Sequence, residues 1–329
     1  MKMFKLLGTV AAAAAALAAG QAQASLTSFQ TLAGAGYNMS TAGCGSTTQA
    51  CSLAGNVPVG ATVVAAYLYT STFSGGVGSL TGTLNGTAIG PYTSLGANGG
   101  LIAGRTDVTA IVTAGLASNV TGTYSFGVTE SNTLTQDGEA LVIVFSDGTA
   151  ATNTIGILDG FSASAGDNFT LGIQPWTATS TAEMRLGIGF SFDGTACSGG
   201  SQTSRVTVNT TVITNNAGCN DDSIDATPAN GNLITMGDDN DAFSGPLPSI
   251  AADHEKYNLA AQLALGDTSI NVNTLNPSND DNIFLAVFKL SGQATVCTVN
   301  CTVPEPAPLA LVGLALTGLA LQRKFAKRA

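Results

Sequence analysis

The sequence predicts an all-β protein built as an antiparallel, jelly-roll-like β-sandwich. Forty glycines interrupt short apolar segments that are rich in β-branched residues, a pattern typical of strands joined by tight turns. Ten or more such segments follow one another with little helical pattern between them, whereas a parallel sheet needs helices alternating with strands. One composite sandwich or two sandwiches in tandem both fit this pattern.

The clearest strand is ATVVAAYLYTSTF, residues 61–73, in which apolar side chains occupy both alternating faces. We therefore expect both faces of this strand to be buried. Asn85-Gly86 follows between two alternating segments and predicts a two-residue hairpin turn, because both residues tolerate positive φ.

Further strands are predicted at regular intervals along the chain. One stretch differs, since Asp107 is placed to cap a short helix that runs towards Gly115. A turn-rich break at 146–153 divides the strands into two β-sandwich regions, 25–148 and 149–302. The predicted strands are 123–129, 139–146, 153–161, 168–173, 184–192, 204–214, 256–265, 268–275 and 282–290.

The first 24 residues have the pattern of a secretory signal peptide. Lys2 and Lys5 precede an apolar stretch, and Ala22 and Ala24 provide the small residues of a cleavage site. We therefore expect the mature chain to begin at Ser25 and to be exported.

The closing segment, residues 303–329, combines Pro-Glu-Pro, an apolar run and a basic tail. As a helix, the run 307–321 would be about 22 Å long, somewhat short of a bilayer core of about 30 Å. The basic tail after it predicts a transmembrane helix whose C-terminal end faces the cytoplasm.

This segment resembles the PEP-CTERM sorting signal of Gram-negative bacteria that secrete exopolysaccharide. The resemblance covers the last 27 residues. It implies transient retention in the inner membrane, recognition by an exosortase, and delivery to the cell envelope, the surface or the extracellular matrix. An ordinary single-span anchor is the alternative. The residues that carry the signal are Pro304, Glu305, Pro306, Arg323 and Lys324.

A weaker resemblance runs through VPVGATVVAAYLYTS, LNGT, DVTAIV and ALVIVFSDGT. These phrases are similar to a β-sandwich module of unassigned function in bacterial and archaeal surface proteins. They consist of strands and turns, so they support a fold and indicate no chemistry.

The mature region is strongly acidic. Between residues 25 and 302, five lysines and arginines stand against twenty acidic residues, a formal net charge of −15. Such a surface repels polyanions, so nucleic acid is not an expected partner.

Six cysteines in an exported chain favour disulfides. Their clustering suggests three local pairs, although fifteen connectivities exist for six cysteines. Zinc is disfavoured, because the C-x₂-C spacing is absent and His254 is the one histidine. The suggested pairs are Cys44 with Cys51, Cys197 with Cys219, and Cys297 with Cys301.

Acidic residues concentrate in three loops, 219–225, 237–241 and 276–282, whose oxygens suit a structural Ca²⁺ ion. The spacing does not match an EF-hand, because no glutamate closes the loop. Solvated acidic turns are the alternative interpretation. The candidate ligands are Asp221, Asp222, Asp225, Asp238, Asp239 and Asp241.

Two further residues invite a functional hypothesis. His254 lies between two acidic residues, but the sequence contains no G-x-S-x-G motif to present a nucleophile, so a surface histidine is favoured. Trp176 is a candidate platform for stacking a sugar, or else a packing residue. Aromatic residues make up 6% of the chain, which is low for a carbohydrate binder with an extended groove.

The sequence therefore predicts an exported, non-enzymatic protein that acts as an adhesive or structural component of a surface or biofilm matrix. A Ca²⁺-assisted module that binds carbohydrate such as exopolysaccharide is the first alternative, and a polysaccharide-active enzyme is the second. No cofactor other than Ca²⁺ is indicated.

Overall fold

The computed structural model shows a mostly β protein, with 60% of its residues in strands. All the sheets are antiparallel, which confirms the predicted fold class at that level. It describes residues 25–45, 50–73, 80–98, 101–131, 136–162, 165–189, 203–218, 234–276 and 282–297.

The described residues contain twenty strands and one α-helix. The strands are β1 (Thr27–Ala35), β2 (Tyr37–Gly45), β3 (Ala50–Asn56), β4 (Thr62–Phe73), β5 (Gly82–Leu84), β6 (Thr87–Ile89), β7 (Thr93–Asn98), β8 (Leu101–Asp107), β9 (Thr123–Glu130), β10 (Gln136–Ser146), β11 (Thr152–Asp159), β12 (Asn168–Gly172), β13 (Ala182–Gly189), β14 (Ser204–Val208), β15 (Thr211–Ala217), β16 (Ile234–Met236), β17 (Lys256–Asn258), β18 (Ser269–Leu275), β19 (Asn282–Ser291) and β20 (Thr295–Cys297).

These strands form four sheets. Outer sheet 1 has the order β3-β9-β5-β6, and inner sheet 1 has the order β2-β10-β4-β8-β7. Inner sheet 2 has the order β1-β11-β19-β13-β16, with β17 also paired to β13. Outer sheet 2 has the order β15-β14-β18-β12-β20.

The four sheets stack face to face in the order outer sheet 1, inner sheet 1, inner sheet 2, outer sheet 2. Three apolar clusters establish this order, because each combines side chains from two neighbouring sheets. Pairs that represent the three clusters are Leu141 with Phe126, Val142 with Leu285, and Phe288 with Val272.

The two inner sheets are therefore buried on both faces. Along β10, Leu141 belongs to the cluster with outer sheet 1, and Val142 belongs to the cluster with inner sheet 2. Complete burial of such a side chain contributes about 1.5–3 kcal/mol each. This explains why ALVIVF is continuously apolar rather than alternating.

The N-terminal strand crosses the predicted boundary between the two β-sandwich regions. β1 pairs with β11, in register from Thr27 opposite Asp159 to Ala35 opposite Thr152. The next strand, β2, pairs instead with β10 of inner sheet 1. Residues 25–35 thus complete a sheet that otherwise comes from residues after 148.

Several local predictions are confirmed. β4 is buried along most of both faces, and Asn85 and Gly86 have φ values of 50° and 73° in the turn between β5 and β6. The helix α1 spans Thr109–Leu116. Asp107 accepts a hydrogen bond of 2.8 Å from the Thr109 backbone N–H. The N-cap residue is nevertheless Val108, which makes no side-chain cap bond, so the predicted cap lies one residue too early.

Two predicted strands differ from the structure. The stretch 204–214 was predicted as one strand, but it forms β14 and β15, which are joined by a turn at Asn209, with φ of 53°. The stretch 256–265 contains the short strand β17 and then a 3₁₀ turn at Ala260–Gln262; a second 3₁₀ turn spans Ile250–Ala252. The Asn258 side chain stabilises the 3₁₀ turn locally by accepting from the Ala260 backbone N–H, whereas the Asn209 side chain accepts from the distant Asn271 backbone N–H.

In the described part of the chain, no helix is long and apolar enough to span a membrane. The predicted transmembrane helix, 307–321, the sorting residues and the leader lie outside the described residues.

Candidate functional site

The acidic turn 238–241 is organised by its own side chains. The Asn240 backbone N–H donates to Asp238 Oδ1 at 3.0 Å, and the Asp238 backbone N–H donates to Asp241 Oδ2 at 2.6 Å. Such bonds from a backbone N–H to a nearby side-chain oxygen are what make Asp and Asn frequent turn residues. Burial raises the pKa of Asp238 to about 6.

The ammonium group of Lys256 lies at the centre of this turn. Its Nζ donates hydrogen bonds to the backbone oxygens of Asp238, Asp239 and Asp241 at 2.9, 3.1 and 2.8 Å. A protein cation thus occupies the place where a Ca²⁺ ion would need carbonyl and carboxylate ligands.

The structure gives the Ca²⁺ prediction no support at this turn, where Lys256 Nζ bonds the backbone oxygens of Asp238, Asp239 and Asp241. Within the described residues, no group of three or more acidic, histidine or cysteine side chains is arranged to hold a metal ion. The other predicted ligands, Asp221, Asp222 and Asp225, lie outside the described residues.

Arg185 on β13 compensates the charge of Asp239, a role that sequence patterns did not indicate. The guanidinium forms ion pairs with Asp239 and with Glu183, the latter at 2.6 Å. It also donates to Thr41 Oγ1 at 2.7 Å, across the interface between the inner sheets. Since Arg185 is 6% exposed, these contacts are structural ties in the interior.

The residues around His254 do not form a nucleophile–base pair. The Ser244 hydroxyl donates to Asp253 Oδ1 at 3.1 Å and accepts the His254 backbone N–H at 2.8 Å. Asp253 also accepts from Tyr257 at 2.7 Å and from Thr214. The proton of Ser244 is thus directed to a carboxylate that is already saturated by donors, which favours structural support over nucleophilic activation.

Trp176 is a packing residue, so the hypothesis that it stacks a sugar needs correction. Its side chain is 8% exposed and belongs to the cluster between inner sheet 2 and outer sheet 2, alongside Phe169 and Leu171. A stacking platform must present a ring face to the ligand, and this ring is instead covered by the core.

The first predicted disulfide is confirmed. Cys44 on β2 is bonded to Cys51 on β3, so it links inner sheet 1 to outer sheet 1. The other two predicted pairs involve Cys197, Cys219 and Cys301, which lie outside the described residues, as does the side chain of Cys297.

Three shallow clefts adjoin along outer sheet 2 and the 3₁₀ turn at 260–262. The first has a volume of ≈ 300 Å³ and is bordered by Ser244 and Gln262. The second, of ≈ 460 Å³, is bordered by Gln262, Asn209 and Asn271. The third, of ≈ 220 Å³, is bordered by Asn209, Asn271 and Asn168. Because each cleft shares lining residues with the next, they form one groove, which we call the amide groove.

Strand register places the polar side chains of the amide groove. Asn168 lies opposite Asn273, and Thr170 lies opposite Asn271, on neighbouring strands β12 and β18. Residues two apart share one face of a strand, so these side chains point outward while intervening residues such as Phe169 point into the core. The outward side chains hydrogen-bond across the strands, from Asn273 to Asn168 at 2.9 Å and from Thr170 to Asn271 at 2.8 Å.

Asn209 fixes the middle of the amide groove. Its Oδ1 accepts the Asn271 backbone N–H at 3.1 Å, and its Nδ2 donates to the Gln262 backbone oxygen at 2.7 Å. The turn between β14 and β15 is thereby tied both to β18 and to the 3₁₀ turn. Hydrogen bonds between the Asn209 side chain and two backbone groups consequently hold the walls of the groove in place.

The lining is almost uncharged; it is mainly apolar in the first cleft, and amide and hydroxyl groups are concentrated in the second and third. Among the described residues, Asp267 is the one charged residue that borders any of the three clefts. The side-chain oxygen of Gln262 is buried and accepts no hydrogen bond. Amides and hydroxyls both donate and accept hydrogen bonds, so the groove suits an uncharged ligand rich in hydroxyl groups.

A separate cluster of buried carboxyl groups lies between outer sheet 1 and inner sheet 1. Glu139 Oε1 accepts hydrogen bonds from Tyr92 at 2.6 Å and from Gln136 at 3.0 Å. Four further carboxyl oxygens are buried and accept no hydrogen bond from a described residue. They are Glu139 Oε2, Asp137 Oδ2 and both side-chain oxygens of Glu130. Burial raises the pKa of Glu130 and of Asp137 to about 8 each, and that of Glu139 well above its usual value.

No protein-family model matches the chain. A search of curated proteins likewise gives no match. Among solved structures, the chain is similar to a β-porphyranase of glycoside hydrolase family 86 from the human gut bacterium Bacteroides plebeius, with 10% identity and a TM-score of 0.22. The aligned region covers 82% of this chain and 36% of that chain, so this chain spans about a third of its length. A likeness this low carries no argument about fold or function.

Most of the residues that shape the amide groove were not singled out by sequence analysis. Asn209 lies in a turn 53 residues before Gln262 of the 3₁₀ segment and 62 residues before Asn271 of β18. The alternation of Asn271, Val272 and Asn273 in INVNT does indicate an outward polar face, which was the one local signal available.

Proposed function

We propose that this protein is exported, sorted through its C-terminal segment, and used at the cell surface or in the extracellular matrix as an adhesive or structural component without catalysis. The observation that carries the proposal is the Pro-Glu-Pro, apolar and basic order of residues 303–329 behind a signal peptide. In this proposal, the apolar run holds the chain in the inner membrane while an exosortase acts near Glu305.

Two features of the folded region support the proposal. The bond between Cys44 and Cys51 is of a kind that persists in oxidising compartments outside the cytoplasm. Four stacked sheets with three apolar layers also make a large, rigid body. Such a body suits a load-bearing or matrix component.

The alternatives receive less support from the site residues. For a Ca²⁺-assisted carbohydrate module, Trp176 is unsuitable because it is packed in the core. The 238–241 turn is unsuitable because Lys256 bonds its backbone oxygens. A polysaccharide-active enzyme needs paired carboxyl groups at a ligand-accessible cleft. Glu130, Asp137 and Glu139 are instead enclosed between two sheets.

The decisive experiment follows the C-terminus of the mature protein. The full-length chain and a chain ending at residue 302 are expressed in a host that has an exosortase, and intact masses are measured in each cell fraction. We expect the full-length chain to lose Arg328 and to reach the surface or the medium, and the shortened chain to accumulate in the periplasm. Arg323→Gln/Lys324→Gln should slow processing by weakening the topology signal.

The proposal is refuted if the protein recovered from the culture fluid still carries Arg328. It is equally refuted if the shortened chain reaches the same location as the full-length chain.

A further inference from the structure

We propose that the amide groove is a binding site for a neutral polysaccharide chain. This inference rests on the proposed function, because an exported protein is the one that meets such a polymer. It names the partner and the surface that the adhesive role requires.

The charge distribution argues for a neutral ligand. The mature region carries twenty acidic residues, and of those that the structure describes a single one, Asp267, borders the groove. An anionic polymer would be repelled by the net charge and would meet no lysine or arginine among the lining residues. A cationic polymer would gain more from the acidic remainder of the surface than from this groove.

Most of the described lysines and arginines bind groups outside the amide groove. Arg185 and Lys256 are used in the interior near the acidic turn, and Arg105 is paired with Asp159. Arg205 lies two residues before Thr207, which pairs with Asn273, and it borders none of the three clefts. It therefore serves as a test of whether the ligand is charged.

The hydrogen-bonding side chains of the amide groove suit a ligand that carries hydroxyl groups. Gln262 borders the first two clefts, and its side-chain oxygen is enclosed and accepts no hydrogen bond from a described residue. The Asn271 side-chain oxygen accepts a hydrogen bond from Thr170, while the Asn271 side-chain nitrogen donates to no described residue. A ligand hydroxyl can accept from the Asn271 side chain, and a ligand that turns the Gln262 side chain into the groove would pair an oxygen that otherwise has no donor.

The shape and rigidity of the groove favour a chain over a single small molecule. Three linked clefts with volumes of ≈ 300, ≈ 460 and ≈ 220 Å³ follow one another rather than form one enclosed cavity. The bonds of Asn209 to Asn271 and Gln262 hold the walls before any ligand arrives. Little ordering entropy then remains to be lost on binding.

Affinity electrophoresis in gels that contain one polymer each tests the proposal. The probes are the neutral polymers dextran, laminarin, galactomannan and xyloglucan, with alginate as the anionic polymer. The protein is purified after export in whatever processing state it has. We expect at least one neutral polymer to retard it, and alginate not to do so.

Matched variants locate the binding site. Asn271→Ala and Gln262→Ala should each weaken retardation about tenfold, because each removes a hydrogen bond to the ligand. Arg205→Gln, and Thr129→Ala on the exposed face of outer sheet 1, should bind like the wild type. Circular dichroism and thermal melting confirm that each variant is folded.

The inference is overturned if no neutral polymer retards the protein, if Asn271→Ala and Gln262→Ala bind normally, or if alginate binds in a way that Arg205→Gln abolishes. Loss of sugar binding with normal C-terminal processing would overturn this inference alone. Retention of Arg328 with normal sugar binding would overturn the sorting proposal alone.

Discussion

Arg185 donates a hydrogen bond of 2.7 Å to the hydroxyl of Thr41, and this bond joins β13 of inner sheet 2 to β2 of inner sheet 1. Thr41 in turn donates to the backbone oxygen of Gly237 at 2.6 Å. The apolar interface between the inner sheets thus contains a polar tie that fixes how the two sheets sit on each other. A purely apolar contact would specify that orientation less sharply.

The first prediction concerns this tie. Arg185→Leu should lower the free energy of unfolding by about 3–5 kcal/mol, because it leaves Asp239 and Glu183 without their cation in the interior. Urea denaturation provides the measurement. Arg205→Leu is the matched control, since Arg205 is exposed on β14 and should change stability little. Equal losses in the two variants would show that Arg185 is not a structural tie.

The second prediction concerns the acidic turn. Lys256→Met should lower the free energy of unfolding by about 1–3 kcal/mol, because three backbone oxygens of the turn lose their donor. Lys289→Met is the control, since the Lys289 ammonium bonds one side-chain oxygen, that of Asn38. Thermal melting of both variants against the wild type gives the comparison. An unchanged melting temperature for Lys256→Met would contradict the structural role of its ammonium.

We expect Ca²⁺ not to bind at the 238–241 turn. Because Lys256 fills the turn, Asp241→Asn should respond to millimolar Ca²⁺ in the same way as the wild type. The prediction of a Ca²⁺ site then rests on Asp221, Asp222 and Asp225, and replacing these three by Asn should abolish any heat of Ca²⁺ binding in calorimetry. Heat that disappears in Asp241→Asn would restore the turn as a ligand.

Structural features that depend on adjacent residues were predictable from the sequence, whereas those that depend on contacts between distant residues were not. The strand at 61–73 and the hairpin at Asn85-Gly86 follow from alternation and from tolerance of positive φ, which are properties of adjacent residues. Burial of β4 on both faces is visible in its apolar pattern for the same reason. The fold class is therefore readable from short stretches.

The errors have physical causes beyond the local pattern. SRVTVNTTVIT has β-branched residues on both sides of Asn209 and no glycine, so nothing in its pattern marks a reversal. The turn there is stabilised by contacts of Asn209 with Asn271 and Gln262, residues 62 and 53 positions away. Lys256 and the acidic turn are likewise brought together by the pairing of β17 with β13, which no spacing rule supplies.

The third prediction is a dependence of stability on pH. Glu130 and Asp137 ionise near pH 4 when unfolded, but burial raises the pKa of each to about 8 in the folded protein. Between these values, the unfolded chain releases protons that the folded chain keeps. Stability should therefore be greatest below about pH 4, fall by up to about 1.4 kcal/mol per pH unit and per group as the pH rises, and level off above about pH 8.

Unfolding in urea at pH 5 and pH 8 measures this slope. Glu130→Gln should be more stable than the wild type at pH 8 and should show a shallower slope. Asp107→Asn is the control, because Asp107 is exposed. A wild-type stability that rises from pH 5 to pH 8 would show that the buried carboxyl groups are not the dominant titrating groups.

The fourth prediction concerns the disulfide between Cys44 and Cys51. Its closed loop spans a sequence separation of 7 residues, so Cys44→Ala/Cys51→Ala should cost about 2.5 kcal/mol through the freedom gained by the unfolded chain. Guanidinium denaturation tests the magnitude. Peptide mapping of the non-reduced protein should also find the predicted links from Cys197 to Cys219 and from Cys297 to Cys301. A fragment that joins Cys51 to any other cysteine would contradict the pairing.

The last prediction follows from the path of β1. This strand is the neighbour of β11 at one edge of inner sheet 2, and Phe29 on it packs edge-on against Tyr67 of inner sheet 1 with ring centroids 5.0 Å apart. Gln30 also accepts a hydrogen bond from the Tyr67 hydroxyl at 2.7 Å. The fragment 149–302 therefore lacks a strand of its own sheet and exposes the apolar face that inner sheet 1 covers.

We expect fragments 25–148 and 149–302 to aggregate or to unfold without a cooperative transition when expressed separately, because exposed apolar faces and unpaired strand edges promote association. Coexpression should restore a complex that unfolds cooperatively, with β1 paired to β11 across the chain break. Limited proteolysis and urea denaturation distinguish the states. A fragment 149–302 that unfolds cooperatively by itself would mean that β1 is an addition to an independent domain, and the two regions would then be separable units.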